Sequence, residues 1–161
     1  MATRTRVKLH VTDTDRGWKK LRRVIFGASR PEVTVGVHGA DKGRTEGAIN
    51  NVGLAAIHEF GSEKASIPER SFIRLTVDEQ LKTWERLLSK LGGSLYALEL
   101  STEQVLNIVG LRMASDMQRT ISKQPSTWDD LKPATIARKG SAKALIDTRE
   151  LLKSIKHRVR G

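Results

Sequence analysis

The chain has 161 residues, enough for one domain with a substantial core and too few for two ordinary ones. It is 38% hydrophobic and 4% aromatic, so Leu, Ile, Val and Ala must build the core, and its lack of cysteine excludes disulfides, thiolate metal sites and thiol nucleophiles. The net charge of +11 is uneven: residues 1–30 carry nine Lys/Arg against two acids, residues 31–127 eleven against twelve, and residues 128–161 nine against four.

At the start of the chain Val7, Leu9 and Val11 alternate with Lys8 and His10, the period-two pattern of a strand with one wet face. From Asp13 or Thr14, either of which can cap, Trp18, Leu21, Val24 and Ile25 recur at spacings of three and four. The pattern predicts an amphipathic helix that stops near Gly27 and presents Arg16, Lys19, Lys20 and Arg23 on its other face. After Pro31, residues 32–37 alternate and are rich in β-branched side chains, so they form a second strand.

Between Gly36 and Gly53 five glycines stand among polar residues with Ile49 as the only large apolar side chain, which predicts a long exposed loop over 36–53. Neither G-x-x-x-x-G-K-[ST] nor G-x-G-x-x-G occurs in it, so a phosphate cradle is not indicated. A loop of this kind reads better as an arm that orders on a neighbouring subunit, with Gly39, Asp41, Lys42, Gly43, Arg44 and Glu46 as the inter-subunit contacts.

Val52 to Phe60 suit a short helix that Gly61 can close, and Pro68 resets the chain before the next one. Phe72, Leu75, Leu81, Trp84, Leu87, Leu88 and Leu91 trace one face of a long helix, with its end expected at Gly92-Gly93 and its start at Ser71 or at a Thr76/Glu79 capping box. Phe72, Leu81 and Trp84 are expected in the core. Ser101 and Gln104 open a further helix with the stripe Val105, Leu106, Val109, Met113, Met117 and Ile121, in which the methionines read as core filling. Pro133 fits the first turn of a short helix that Gly140 stops. Asp147 and Glu150 have capping-box spacing with Ile146 and Leu151 as a hydrophobic staple, and Ile155 to Val159 can form a last strand. The order predicts a single α+β domain over 1–161, with a small antiparallel sheet packed against several helices.

Chemistry is not indicated. No two of His10, His38, His58 and His157 have the i, i+4 spacing of a helical metal site, and Ser62 stands where an H-E-x-x-H motif beginning at His58 needs its second histidine. There is no G-x-S-x-G elbow, and Asp129-Asp130 read as solvated turn acids. The expectation is no enzyme, no cofactor and no metal. No apolar run approaches the roughly 18 residues of a membrane span and no signal-like segment is present, so the chain is expected in the cytosol.

Two runs carry a family resemblance: the helix, E-F-G, loop and I-P-E-R-x-F-x-R of Ala55 to Arg74, and the R-K-G … L-I-D-T-x-x-L … S-I of Arg138 to Ile155. Together and in this order they resemble the tail-completion or neck (head-tail joining) proteins of long-tailed bacteriophages. The chain departs from the commonest form at Ser71, where proline is frequent, and at Arg149, where glycine is frequent. The resemblance implies a non-catalytic virion part, a ring of copies of itself between the head-tail connector and the tail-terminator or tail-tube proteins, assembled in the host cytoplasm. The basic ends leave a second reading open, a nucleic-acid-binding module, with Arg16, Lys19, Lys20, Arg23, Lys156, Arg158 and Arg160 meeting packaged DNA or another polyanion. They are equally compatible with a solvated surface. Aromatic residues are not interleaved with them apart from Trp18, which argues against a single-strand binder.

Overall fold

The computed structural model describes residues 19–20, 23, 31–39, 49–140, 142–145 and 149–161. Among them the order is β1 (Glu32–Val37), α1 (Asn51–Phe60), α2 (Phe72–Tyr96), α3 (Thr102–Lys123), α4 (Pro133–Lys139), α5 (Glu150–Ser154) and β2 (Ile155–Arg160). The fold class is α+β, a two-stranded antiparallel sheet with several helices. The strand expected at 7–11 and most of the helix expected at 14–26 lie outside the described residues.

β1 and β2 pair over their full length, from Glu32 opposite Arg160 to Val37 opposite Ile155. Side chains alternate along a strand, so this register collects Val33, Val35, Val37, Ile155, His157 and Val159 on one face. That face lies on α3. Val35 and Val37 pack against a buried cluster that includes Phe72, Ala114, Met117, Ile121 and Ile155. His157 comes so near the α3 backbone that a Cβ on Gly110 would stand 2.7–2.8 Å from its Cδ2, Cγ and Cβ atoms. Gly110 therefore sets the distance between sheet and helix, and His157 Nε2 lies 3.0 Å from Asn107 Oδ1 beside it.

The α2–α3 pair is held by both apolar and polar contacts. Ser101 and Gln104 form the full capping box at the start of α3, side chain to backbone in both directions. Val105, Val109, Met117 and Ile121 are buried as their spacing predicts, while Met113 is half-buried. Thr76 meets Thr120 at 2.7 Å, and each hydroxyl also lies within hydrogen-bond distance of a carbonyl four residues back in its own helix. At the far end of α3, Gln124 adopts the left-handed conformation. Its side chain donates to the carbonyls of Ile121 and Ala144 and accepts from the Ala144 amide at 2.6 Å, so one glutamine ties the helix end to the 142–145 segment.

Four expectations are corrected. α2 does not stop at Gly92-Gly93 but continues to Tyr96, where Ala97 donates back to Gly93 and Leu98 turns the chain at φ 60°. Each glycine costs a helix about 1 kcal/mol, and Leu91 and Leu95 on either side of the pair are half-buried. Leu81 is 48% exposed, whereas Phe72 and Trp84 are buried, because the buried line runs through Phe72, Thr76 and Trp84 and leaves Leu81 to one side. Thr76 accordingly lies inside the helix and not at its cap. The last helix begins at Glu150, which puts that residue in the first helical position and not in the third that a capping box with Asp147 requires. Arg149 precedes it at φ 62° with no side-chain cap, and this left-handed step breaks the helical path; Ile146 and Asp147 lie outside the described residues. Finally, the 36–53 loop is trimmed at both ends. Gly36 and Val37 belong to β1, and Asn50 caps α1 by accepting from the Gly53 amide at 2.8 Å; residues 40–48 lie outside the described residues.

Candidate functional site

The E-F-G … I-P-E-R-S-F-I-R run folds into a clasp between α1 and α2. Gly61 ends α1 at φ 73° and ψ 178°, a region that essentially only glycine enters, and a Cβ there would meet the Glu69 amide nitrogen at 3.1 Å. The chain then doubles back: Ser62 and Ile67 exchange backbone hydrogen bonds of 2.9 Å, and the Arg70 amide donates to the His58 carbonyl at 2.7 Å. This return brings the start of α2 against the last turn of α1. The residue before α2, Ser71, makes no side-chain cap. The buried Glu59 carboxylate supplies it instead, Oε2 accepting from the Ile73 amide and Oε1 from the Arg74 amide, both at 2.9 Å. A carboxylate on those amides also meets the positive end of the helix dipole.

Arg74 completes the clasp. Its Nε donates to Glu59 Oε1 at 3.2 Å, and Nη2 donates to the Glu59 carbonyl at 2.6 Å and to Glu69 Oε1 at 2.7 Å. Its guanidinium carbon stands 5.3 Å from the centre of the Phe60 ring, within cation–π range. Glu59, Glu69 and Arg74 are thus engaged in holding two helices and a loop together.

Arg70 faces the other side of the loop. It is 4% exposed, and its Nη2 donates to the Asp129 carbonyl at 2.9 Å. Its Nε is buried with no acceptor among the described residues. Burial pulls the guanidinium below its ordinary pKa, and the nearby Asp129 carboxylate opposes that shift. Arg70 lines a groove of about 1020 Å³ between the 54–70 segment and residues 129–135. Leu54, Phe60, Ile67 and Leu151 provide its apolar surface; the carboxylates are Glu63, Glu69, Asp129 and Asp130, against Arg70 and Lys132.

A second buried carboxylate lies in the α2–α3 contact. Asp116 Oδ2 accepts from Trp84 Nε1 at 2.9 Å and from Arg112 Nε at 2.8 Å, and Arg119 Nη1 stands 3.1 Å from Oδ1. Asp116 is held by donors from two helices, and Glu59 by donors from the start of the neighbouring helix. Among the described residues no group of three or more His, Asp or Glu is placed to hold a metal ion, and no helix is long and apolar enough to cross a membrane.

Of the contact residues expected from sequence, the sheet register brings three together. Lys156, Arg158 and Arg160 share the face turned away from α3, with Glu32 paired opposite Arg160. Lys156 and Arg160 are exposed and Arg158 is half-buried. Lys19, Lys20 and Arg23 are helical and exposed, and Gly39 is an exposed turn residue just beyond β1. Arg16, Asp41, Lys42, Gly43, Arg44 and Glu46 lie outside the described residues. Glu59, Arg70, Arg74 and Asp116 are the polar residues that sequence reading passed over. The sequence signal for Glu59 is an acid two residues before a stop glycine, with the next helix beginning one short loop further on. Comparison of the chain with family models, with curated proteins and with solved structures finds no match.

Proposed function

We propose that the chain is a structural subunit of a bacteriophage neck, a ring of copies that joins head to tail and performs no catalysis. The observation that carries the reading is the clasp. Of the first run resembling neck proteins, Glu59, Phe60, Gly61, Glu69 and Arg74 are spent on helix capping, loop closure and ion pairing, which suits a part that works by its shape. A ring closes through heterologous contacts, one face of each copy meeting a different face of the next, and the glycine-rich arm beginning at Gly39 is assigned to that contact.

The alternative, a basic nucleic-acid-binding module, is favoured by one observation, the stripe of Lys156, Arg158 and Arg160 on a single sheet face. Successive outward residues of a strand stand about 7 Å apart, a spacing that suits a row of phosphates. The two readings separate on one experiment. Deleting residues 40–48, which spares the Asn50 cap, should leave a folded domain that no longer enters particles, scored by imaging particles assembled with the deleted protein. Normally attached tails in those particles would remove the arm from the joint. Absence of the intact protein from purified virions, together with DNA binding that persists at physiological salt, would replace the neck reading with the nucleic-acid one.

A further inference from the structure

We infer that the acid-rimmed groove beside the clasp is the acceptor site for the basic amphipathic segment, residues 14–26, of a second copy of this chain. The inference rests on the ring reading and adds a second contact between neighbouring copies, beside the one assigned to the glycine-rich arm.

The groove has the features of a peptide acceptor. Its apolar surface, from Leu54, Phe60, Ile67 and Leu151, includes a Phe60 side chain that is 69% exposed in the single chain. Four carboxylates line it, of which Glu69 is engaged by Arg74, while Glu63, Asp129 and Asp130 stand exposed. Arg70 adds a donor of unusual kind. Its Nε is buried without an acceptor among the described residues, and burying an N–H without a partner is unfavourable, so an incoming carbonyl oxygen would satisfy it. An apolar floor, anionic sides and one buried donor together select a segment with apolar residues on one side and cations on the other.

The chain contains such a segment. Trp18, Leu21, Val24 and Ile25 recur at helical spacing, and Arg16, Lys19, Lys20 and Arg23 alternate with them, within a region that is net basic where the middle of the chain is not. Lys20 and Arg23 are exposed and neither lines the groove. Donor and acceptor are different surfaces of the same molecule. Their contact is heterologous and propagates from copy to copy until a ring closes.

The test uses the full-length protein. Isotopically labelled and unlabelled copies are mixed and treated with a zero-length carbodiimide, which joins a carboxylate to a lysine amine. The expected product is a mixed-isotope crosslink between Lys19 or Lys20 and Glu63, Asp129 or Asp130. Glu63→Lys with Asp130→Lys should abolish it and shift sedimentation toward the monomer, as should Lys19→Glu with Lys20→Glu and Arg23→Glu. Combining the two sets should restore assembly, a rescue that misfolding cannot mimic. Crosslinks confined to one isotope would show that the chain fills its own groove and would overturn the inference. Rings that form without these crosslinks would overturn it while leaving the ring reading standing, and a chain that stays monomeric at every concentration would overturn both.

Discussion

Two carboxylates, Glu59 and Asp116, are buried to nearly the same degree, at 4% and 3% exposure, and both are met by arginines, yet they do opposite kinds of work. Glu59 accepts from two backbone amides that cannot move without unwinding α2. Asp116 meets side chains: it accepts from the Trp84 indole and Arg112 and forms an ion pair with Arg119, the two arginine side chains being about half exposed at 43% and 51%. Arginines so placed can turn to water if the acid is lost; amides at a buried helix start cannot. A buried charge is therefore as costly to remove as its partners are immobile, and the partners, not the burial, distinguish the clasp from the helix pair.

The comparison can be broken from the Asp116 side first. Trp84→Ala should cost about 3–5 kcal/mol, since it empties a buried aromatic site and strands the carboxylate. Trp84→Phe removes the indole donor while keeping most of the ring, and should cost about 1.5–3 kcal/mol. Both are read as shifts of the urea midpoint at constant slope. A midpoint unchanged in Trp84→Phe would mean that the 2.9 Å indole bond contributes nothing beyond packing.

Glu59→Ala comes next, at about 2–4 kcal/mol, because it leaves two helix-start amides without acceptors. The sharper form pairs two amide substitutions. Glu59→Gln retains one acceptor oxygen where two fixed amides need one each, and should be the more damaging; Asp116→Asn keeps an oxygen for the indole and releases an arginine to solvent, and should cost about 0.5–1.5 kcal/mol. Equal losses in the two variants would refute the claim that partner mobility sets the cost. Gly110→Ala tests the sheet contact, and the 2.7–2.8 Å approach to His157 predicts a loss of about 1–3 kcal/mol, with displaced His157 ring resonances in NMR spectra. The smallest effect has the opposite sign. Arg149→Gly relieves a left-handed φ of 62° and should stabilise by about 1 kcal/mol, detectable as a small rise in Tm.

Much of the fold was legible where the signal is local. The Ser101/Gln104 box, the Pro133 and Gly140 bounds of α4, the period-two runs of β1 and β2 and the Gly61 stop each involve residues within a few positions of one another. The misses share the converse property. Gly92-Gly93 have the form of a helix stop, but α2 runs through them to Tyr96. Leu81 fits an apolar stripe in sequence, but the face that meets α3 runs through Thr76, paired with Thr120 across the helix interface, and leaves Leu81 exposed. The Asp147/Glu150 pair matches a capping box in spacing, while the backbone at Arg149 starts the helix later.

What the sequence by itself determined is the α+β alternation, because hydrophobic period and capping chemistry act over one or two turns of chain. What only the tertiary structure decided is which charges are buried and what they hold. Glu59 and Arg74 are fifteen residues apart, Trp84 and Asp116 thirty-two, and Arg70 and Asp129 fifty-nine. Nothing in the local spacing of such residues distinguishes a partner from a solvated charge, since their attraction becomes strong only after folding has removed the water between them.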